Sequence, residues 1–224
     1  MKYNLLSDGK VNHKIKKNIK LGYNTYSLNF AHSDLSGYNV CPIANKLTTG
    51  ENNPNKSNCS SCCVGYNGFA SIHNSVMESR IKKTLSYFLD KKSFLNSLIH
   101  EISLAIDESN KLGLKPSFRL NAYSDIKHEN NIIRDNKNIF ELFPEVDFYD
   151  YTKLLNRKTP KNYQLTFSHH NSDFKDTSKA LKTGLNSAIV FEKLPKYITI
   201  DKIKYIVING DETDLRVDEK INGK

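Results

Sequence analysis

The segments Phe148-Tyr-Asp-Tyr-Thr-Lys153 and Tyr163-Gln-Leu-Thr-Phe-Ser168 decide the fold class. Each is a short run of aromatic, β-branched and aliphatic residues that ends in polar residues, a pattern typical of strands. Runs of this kind lie at residues 118–122, 146–151, 163–167, 188–191 and 205–208, with helical patterns at 138–143 and 176–185. Strands that alternate with helices predict crossover connections and a mostly parallel sheet. The sequence therefore predicts an α/β fold with a partial or complete βα barrel-like sheet.

The chain before these runs contains one further strand, a long loop and two helices. Residues 23–30 alternate in a way that suits a strand, whereas residues 31–75 lose periodicity and fill with turn-forming residues. Apolar residues recur at helical spacing over 76–89 and 93–112, and Gly113 ends the second pattern. We expect a single domain over 1–224, with a cysteine-bearing loop at 31–75, two helices at 76–112 and alternating strands and helices at 117–210.

Composition limits the classes of partner. The 224 residues carry 33 Lys and Arg against 24 Asp and Glu, a net charge of +9. This excess makes nucleic acid a candidate partner, although solvated lysines are the default explanation. No apolar run is long enough for a membrane span, and the N-terminus has no apolar stretch of signal-peptide length. We therefore expect a cytoplasmic protein with no membrane partner.

Polar residues follow the ends of the predicted strands. Because the carboxyl ends of parallel strands form the active edge of α/β sheets and barrels, these residues are candidates for substrate contact and catalysis. The candidates are Asn121, Asp125, Asp150, Lys153 and Asp211. The pair His169-His170 also follows a strand and suits either acid–base work or metal binding, with an ordinary surface or packing role as the commoner explanation.

Four cysteines cluster in the long loop, at positions 41, 59, 62 and 63. An iron–sulfur cluster with one open iron needs three thiolates, which Cys41, Cys59 and Cys63 would supply. Nearby Gly65 and Gly68 would let the backbone approach such a cofactor closely. Structural zinc needs four ligands, and the two-residue gap between Cys59 and Cys62 suits it, with Cys41 and either Cys63 or His73 completing the set. Spacing alone leaves both metals open.

Several segments resemble the gene product 88 domain of phages and mobile elements. These segments span about residues 28–216, and they are residues 29–42, 59–68, 80–84, 114–121, 148–153, 163–168 and 209–216. The family's cysteine pattern is in turn similar to that of radical S-adenosylmethionine enzymes, which bind a four-iron cluster in a partial βα barrel. The matching cysteines are Cys41, Cys59 and Cys63, and residues 45–58 look like an insertion between the first two. Cys62 is additional to that pattern.

The resemblance to the family implies no activity by itself. The further similarity implies an iron–sulfur protein and an enzyme of radical S-adenosylmethionine type. The alternative is a zinc-stabilised module that binds nucleic acid and catalyses nothing. Its phosphate-binding residues would be Lys14, Lys16, Lys17, Arg80, Lys82 and Lys83. A third hypothesis is a degenerate barrel that serves protein contacts only. The sequence alone identifies neither a substrate nor an oligomeric state.

Overall fold

A computed structural model describes residues 5–11, 15–44, 63, 65, 73–170 and 173–217. The strands are β1 (Leu6–Asp8), β2 (Tyr23–Leu28), β3 (Lys115–Arg119), β4 (Asp147–Thr152), β5 (Tyr163–Ser168), β6 (Asn186–Ala188), β7 (Tyr197–Ile200) and β8 (Ile203–Ile206). The α-helices are α1 (Asn74–Leu89), α2 (Lys91–Lys111), α3 (Ile139–Leu142) and α4 (Lys175–Lys182). A 3-10 helix over Ile15–Leu21 precedes β2.

Six strands form one sheet in the order β1-β2-β3-β4-β5-β6. Strand β1 is antiparallel to β2, and each later neighbour is parallel to the one before it. The predicted mostly parallel sheet is confirmed, and helices lie in the connections from β2 to β3, from β3 to β4 and from β5 to β6. Among the described residues β1 and β6 each pair on one side only, so the predicted barrel-like closure is not confirmed.

The last β-prone run lies outside the parallel sheet, which corrects the prediction that the five runs would be neighbouring, mainly parallel strands. Strand β8 pairs instead with β7 in an antiparallel hairpin. Asp201 and Lys202 connect these strands, and both have positive φ angles, 48° and 65°. Two such residues suit the tight turns that join antiparallel strands, so the local turn decides the pairing.

The two predicted helices form with nearly the predicted bounds. Asp90 lies between them and caps α2, since its carboxylate accepts a hydrogen bond from the Ser93 N–H. Gly113 follows α2 with a φ of +68°, the left-handed conformation that ends many helices. Leu98 and Ile102 of α2 are fully buried, so this helix turns its apolar stripe towards the core.

The sheet has one mostly apolar face and one more polar face. Tyr26, Phe118 and Phe148 occupy neighbouring register positions of β2, β3 and β4, and they belong to a core that also contains the buried residues of α2. Burying a side chain such as Phe118 stabilises the fold by about 1.5–3 kcal/mol. Thr25 and Ser117 occupy the alternate positions, which face the other way, and hydrogen bond to each other.

Candidate functional site at the carboxyl edge of the sheet

Cys41 lies against the loop that follows β3. Its Sγ donates a hydrogen bond to the carbonyl of Tyr123 at 3.5 Å. The carbonyl of the preceding residue, Val40, accepts from the N–H of Asp125 at 2.8 Å. Two bonds thus join Cys41 and the residue before it to the loop at the carboxyl end of β3.

Cys63 lies beside the segment that follows β2. Its Sγ accepts a hydrogen bond from the N–H of Gly65 at 3.3 Å. A Cβ built on Gly65 would lie 2.7 Å from Nδ1 of His32, so only glycine allows this approach. His32 is fully buried four residues beyond β2. Close backbone approach at Gly65 is therefore present, although its partner here is a histidine, and a role in cofactor binding stays a prediction.

Cys59, Cys62 and Gly68 lie outside the described residues. Within the described ranges, no group of three or more His, Cys, Asp or Glu side chains is arranged to hold a metal ion. The structure describes only two of the four cysteines, so a three-thiolate set and a four-ligand zinc set both stay predictions. His73, the histidine considered for zinc, is an exposed residue just before α1.

Arg80 of α1 places a buried positive charge beside the Cys41 loop. The side chain stacks over the ring of Tyr123 at 4.0 Å, and the residue is only 7% exposed. Its Nη1 has no hydrogen-bond partner among the described residues. Burial lowers the pKa of His32, and the charge of Arg80 lowers it further. A buried guanidinium nitrogen normally has a partner, so this arrangement favours an anionic group nearby.

Asp150 interrupts the sheet between β3 and β4. The register of these strands pairs only Ser117 with Asp147 and Phe118 with Phe148. Beyond that point the Asp150 carboxylate accepts hydrogen bonds from the two N–H groups at positions 120 and 121, at 3.1 and 3.0 Å. The side chain thus takes the place of main-chain acceptors.

The environment of Asp150 combines burial with several donors. The hydroxyl of Tyr163 donates a third hydrogen bond to the carboxylate at 3.2 Å. Burial raises the pKa of Asp150 to about 7, against the opposing effects of Arg119 and the Asn121 N–H. These bonds join residues of β4 and β5 to the end of β3, which indicates that Asp150 holds the strand ends in place. A catalytic role for it stays a prediction.

Arg157 organises a second buried network, and the sequence analysis missed it. Its side chain is completely buried and pairs with Asp125 at 2.9 Å and with Glu129 at 2.7 Å. Asp125 also accepts from the hydroxyl of Thr152 and the N–H of Lys153. Burial raises the pKa of Asp125, opposed first by the Lys153 N–H and then by Arg157. The network joins the loop after β3 to the end of β4. Its only signal in the sequence is weak, because it consists of one arginine in a polar segment after a predicted strand.

Asn121 belongs to the same region and uses both ends of its amide. Its Nδ2 donates to the Ile126 carbonyl, and its Oδ1 accepts from the Ser124 hydroxyl and the Ile126 N–H. The sheet therefore brings four predicted site residues, Asn121, Asp125, Asp150 and Lys153, into one neighbourhood. Their contacts position the loops of the edge.

Asp211 lies elsewhere, in the segment after the hairpin. It is exposed, and its carbonyl accepts a hydrogen bond from Nζ of Lys17 at 2.9 Å. The same segment contacts the more polar face of the sheet, since Asp214 pairs with Arg119 at 2.7 Å. None of the contacts described for Asp211 joins it to the other predicted site residues.

The residues of the nucleic-acid hypothesis do not form one exposed set. Helix α1 buries Arg80, while Lys83 is half-buried with its Nζ donating to the Leu5 carbonyl. This is a correction, and its reason is the helical period, which turns positions 80, 84 and 87 towards the core. Lys14 lies outside the described residues. The exposed members of the set are Lys16, Lys17 and Lys82.

Comparison with known proteins assigns a family. The family model described as gene product 88 matches residues 3–223. The chain belongs to the gene product 88 family. No curated protein and no solved structure matches it. The family membership confirms the resemblance drawn from the sequence segments and adds no assigned chemistry. In addition, no helix among the described residues of this gene product 88 chain is long and apolar enough to cross a membrane.

Proposed function

We propose that this gene product 88 chain is an iron–sulfur enzyme of radical S-adenosylmethionine type. Cys41, Cys59 and Cys63 would hold the cluster, and the polar edge of the sheet would hold the substrate. A bound cluster of this type supplies an electron for cleavage of S-adenosylmethionine. Zinc bound by the same loop is the alternative that the experiment below separates.

The observation that carries the proposal is the buried charge of Arg80 beside the cysteine loop. Arg80 stacks on Tyr123, whose carbonyl accepts from Cys41 Sγ. The loop of Cys63 lies against His32, on which the charge of Arg80 also acts. A metal centre with thiolate ligands adds negative charge, which a buried guanidinium stabilises.

The residues of this chain that would prepare the site act mainly by positioning. Asp150 and Arg157 hold the loops after β3 and β4 by the buried bonds described above. The ammonium of Lys153 and the hydroxyl of Ser168 lie at the ends of adjacent strands, 3.2 Å apart. These groups would orient a bound substrate, while Arg80 would stabilise the charge of the metal centre.

Metal analysis and the visible spectrum of protein purified without oxygen test the proposal. We expect iron and sulfide, a brown colour that bleaches on reduction, and loss of both metal and colour in Cys41→Ala, Cys59→Ala and Cys63→Ala. Cys62→Ala is the matched control and should retain the cluster, because three thiolates suffice. Colourless protein with one tightly bound zinc, in which Cys62 is as necessary as Cys59, would refute the iron–sulfur proposal.

A further inference from the structure

Lys153 and Ser168 meet where adjacent parallel strands end. Lys153 directly follows β4, and Ser168 is the last residue of β5. Nζ of Lys153 donates to the Ser168 hydroxyl at 3.2 Å and lies 3.5 Å from the Ser168 carbonyl. Both residues are partly exposed, so a ligand at the edge of the sheet can reach them.

His170 adds a second nitrogen group to this position. Its Nδ1 lies 3.3 Å from the Ser168 carbonyl. Because a carbonyl accepts only, this contact requires the proton on Nδ1 and turns Nε2 to the other side of the ring. Burial lowers the pKa of His170, the charge of Lys153 lowers it further, and the Ser168 carbonyl and Asp176 oppose these effects.

The ammonium of Lys153 is not neutralised by a carboxylate of the described residues. None of the ion pairs found among them joins an Asp or Glu oxygen to its Nζ. The backbone of Lys153 is nevertheless fixed, since its N–H donates to Asp125 Oδ2 at 2.8 Å. Thr152, the preceding residue, donates to the same carboxylate. A cation on a fixed backbone, near a second group that can become a cation, favours a bound anion.

We propose that Lys153, Ser168 and His170 form a binding site for the phosphate group of a substrate. The Lys153 ammonium has three hydrogens, and the one that is not directed at Ser168 can be donated to a ligand. The Ser168 oxygen accepts from Lys153, so the hydrogen of its hydroxyl can also be donated to a ligand. Protonated His170 presents Nε2–H as a third donor. Lys153 and His170 both contact the Ser168 carbonyl, so the donors of the three residues lie in one small region. Charge-assisted hydrogen bonds from such donors to phosphate oxygens are the strong ones.

A phosphate site at this position would define the substrate class of the proposed enzyme, and to that extent it rests on the proposed function. Its three side chains have no contact with the cysteines among the described residues, and it requires no metal ion. Phosphate binding and metal binding are therefore tested separately, the first by the variants below and the second by the cysteine variants. A chain that binds phosphate and no metal would refute only the iron–sulfur proposal.

NMR of the full chain with inorganic phosphate tests the site. The His170 imidazole signals, assigned with a His170→Gln variant, are followed as phosphate is added at a series of pH values that covers the titration of the imidazole. We expect saturable shifts and an increase in the pKa of His170, because a bound anion favours its charged form. Lys153→Met should weaken phosphate binding about tenfold or more. Lys158→Met, at an exposed position on the same loop, is the matched control and should bind as the original chain does.

A second readout separates binding from structure. Without phosphate, Lys153→Met should raise the pKa of His170, since it removes a positive neighbour. Should Lys153→Met fail to fold, Ser168→Ala keeps the test open, and we expect it to bind phosphate several-fold more weakly. Phosphate affinity that is unchanged in a folded Lys153→Met or Ser168→Ala chain would overturn the inference. Acetate binding as tightly as phosphate would overturn the assignment to phosphate.

Discussion

Removal of Arg157 should be among the most damaging single changes at the edge of the sheet. Its side chain is fully buried between Asp125 and Glu129, whose side chains are 11% and 5% exposed. Arg157→Met keeps much of the volume but leaves two buried carboxylates without their cation. Breaking a buried ion pair from one side costs about 3–5 kcal/mol. At about 2–4 °C per kcal/mol for a chain of this size, the melting temperature should fall by roughly 6–20 °C.

Double variants show which of the two carboxylates accounts for most of this loss of stability. The carboxylate of Glu129 has hydrogen bonds to Arg157 alone among the described residues, whereas Asp125 keeps the Thr152 hydroxyl and the Lys153 N–H. In the Arg157→Met background, Glu129→Gln should therefore restore more stability than Asp125→Asn does. The free energy of unfolding from urea titration measures each step.

The exposed Arg134 provides the control for loss of an arginine. Arg134→Met should change the free energy of unfolding by no more than about 0.5 kcal/mol. An Arg157→Met chain as stable as this control would refute the view that buried charge pairing holds the edge together. Equal rescue by the two second substitutions would contradict the asymmetry between Glu129 and Asp125.

Three further predictions concern the buried groups of the edge and the cysteine loop. Burial raises the folded-state pKa of Asp150 to about 7 from an ordinary 3.8. The contribution of Asp150 to the free energy of unfolding should therefore be greatest below about pH 4. It should decline towards pH 7, by on the order of 4 kcal/mol. Asp150→Asn should remove that part of the pH dependence in urea titrations, and an unchanged pH profile would argue against the raised pKa. Arg80→Met should weaken metal binding, measured by competition with a chelator, because it removes the buried positive charge beside the cysteine loop. Lys82→Met, at an exposed position, is the control and should not weaken it. Equal metal affinity in the two variants would refute the role of Arg80 in stabilising the metal centre. Gly65→Ala should destabilise the fold by about 1–3 kcal/mol in chemical unfolding, because its Cβ would overlap His32, and a neutral result would contradict the close packing there.

The sequence by itself determined the elements whose signals are local. Apolar residues at helical spacing predicted α1 and α2, and the short β-prone runs predicted β3, β4 and β5, each within a few residues of its observed bounds. The parallel order followed because helices lie between most of these strands, and a crossover through a helix brings the next strand back parallel. The polar residues at strand ends were predicted to share one edge for the same reason, and Asn121, Asp125 and Asp150 do lie together there.

Only the tertiary structure decided what those residues contact. Asp150 and Asp125 are predicted from the sequence as candidates for substrate contact and catalysis. In the fold each is buried among internal donors, because Arg157 and the strand backbones reach them from distant parts of the sequence. Arg80 looked like a surface cation, but the packing of α1 buries it on Tyr123. Hydrophobic and β-branched patterns act over a few neighbouring residues, whereas charge pairing and burial depend on which loops meet. The physical reason is that a local pattern sets backbone conformation, and the environment of each side chain is set by the packing of the whole fold.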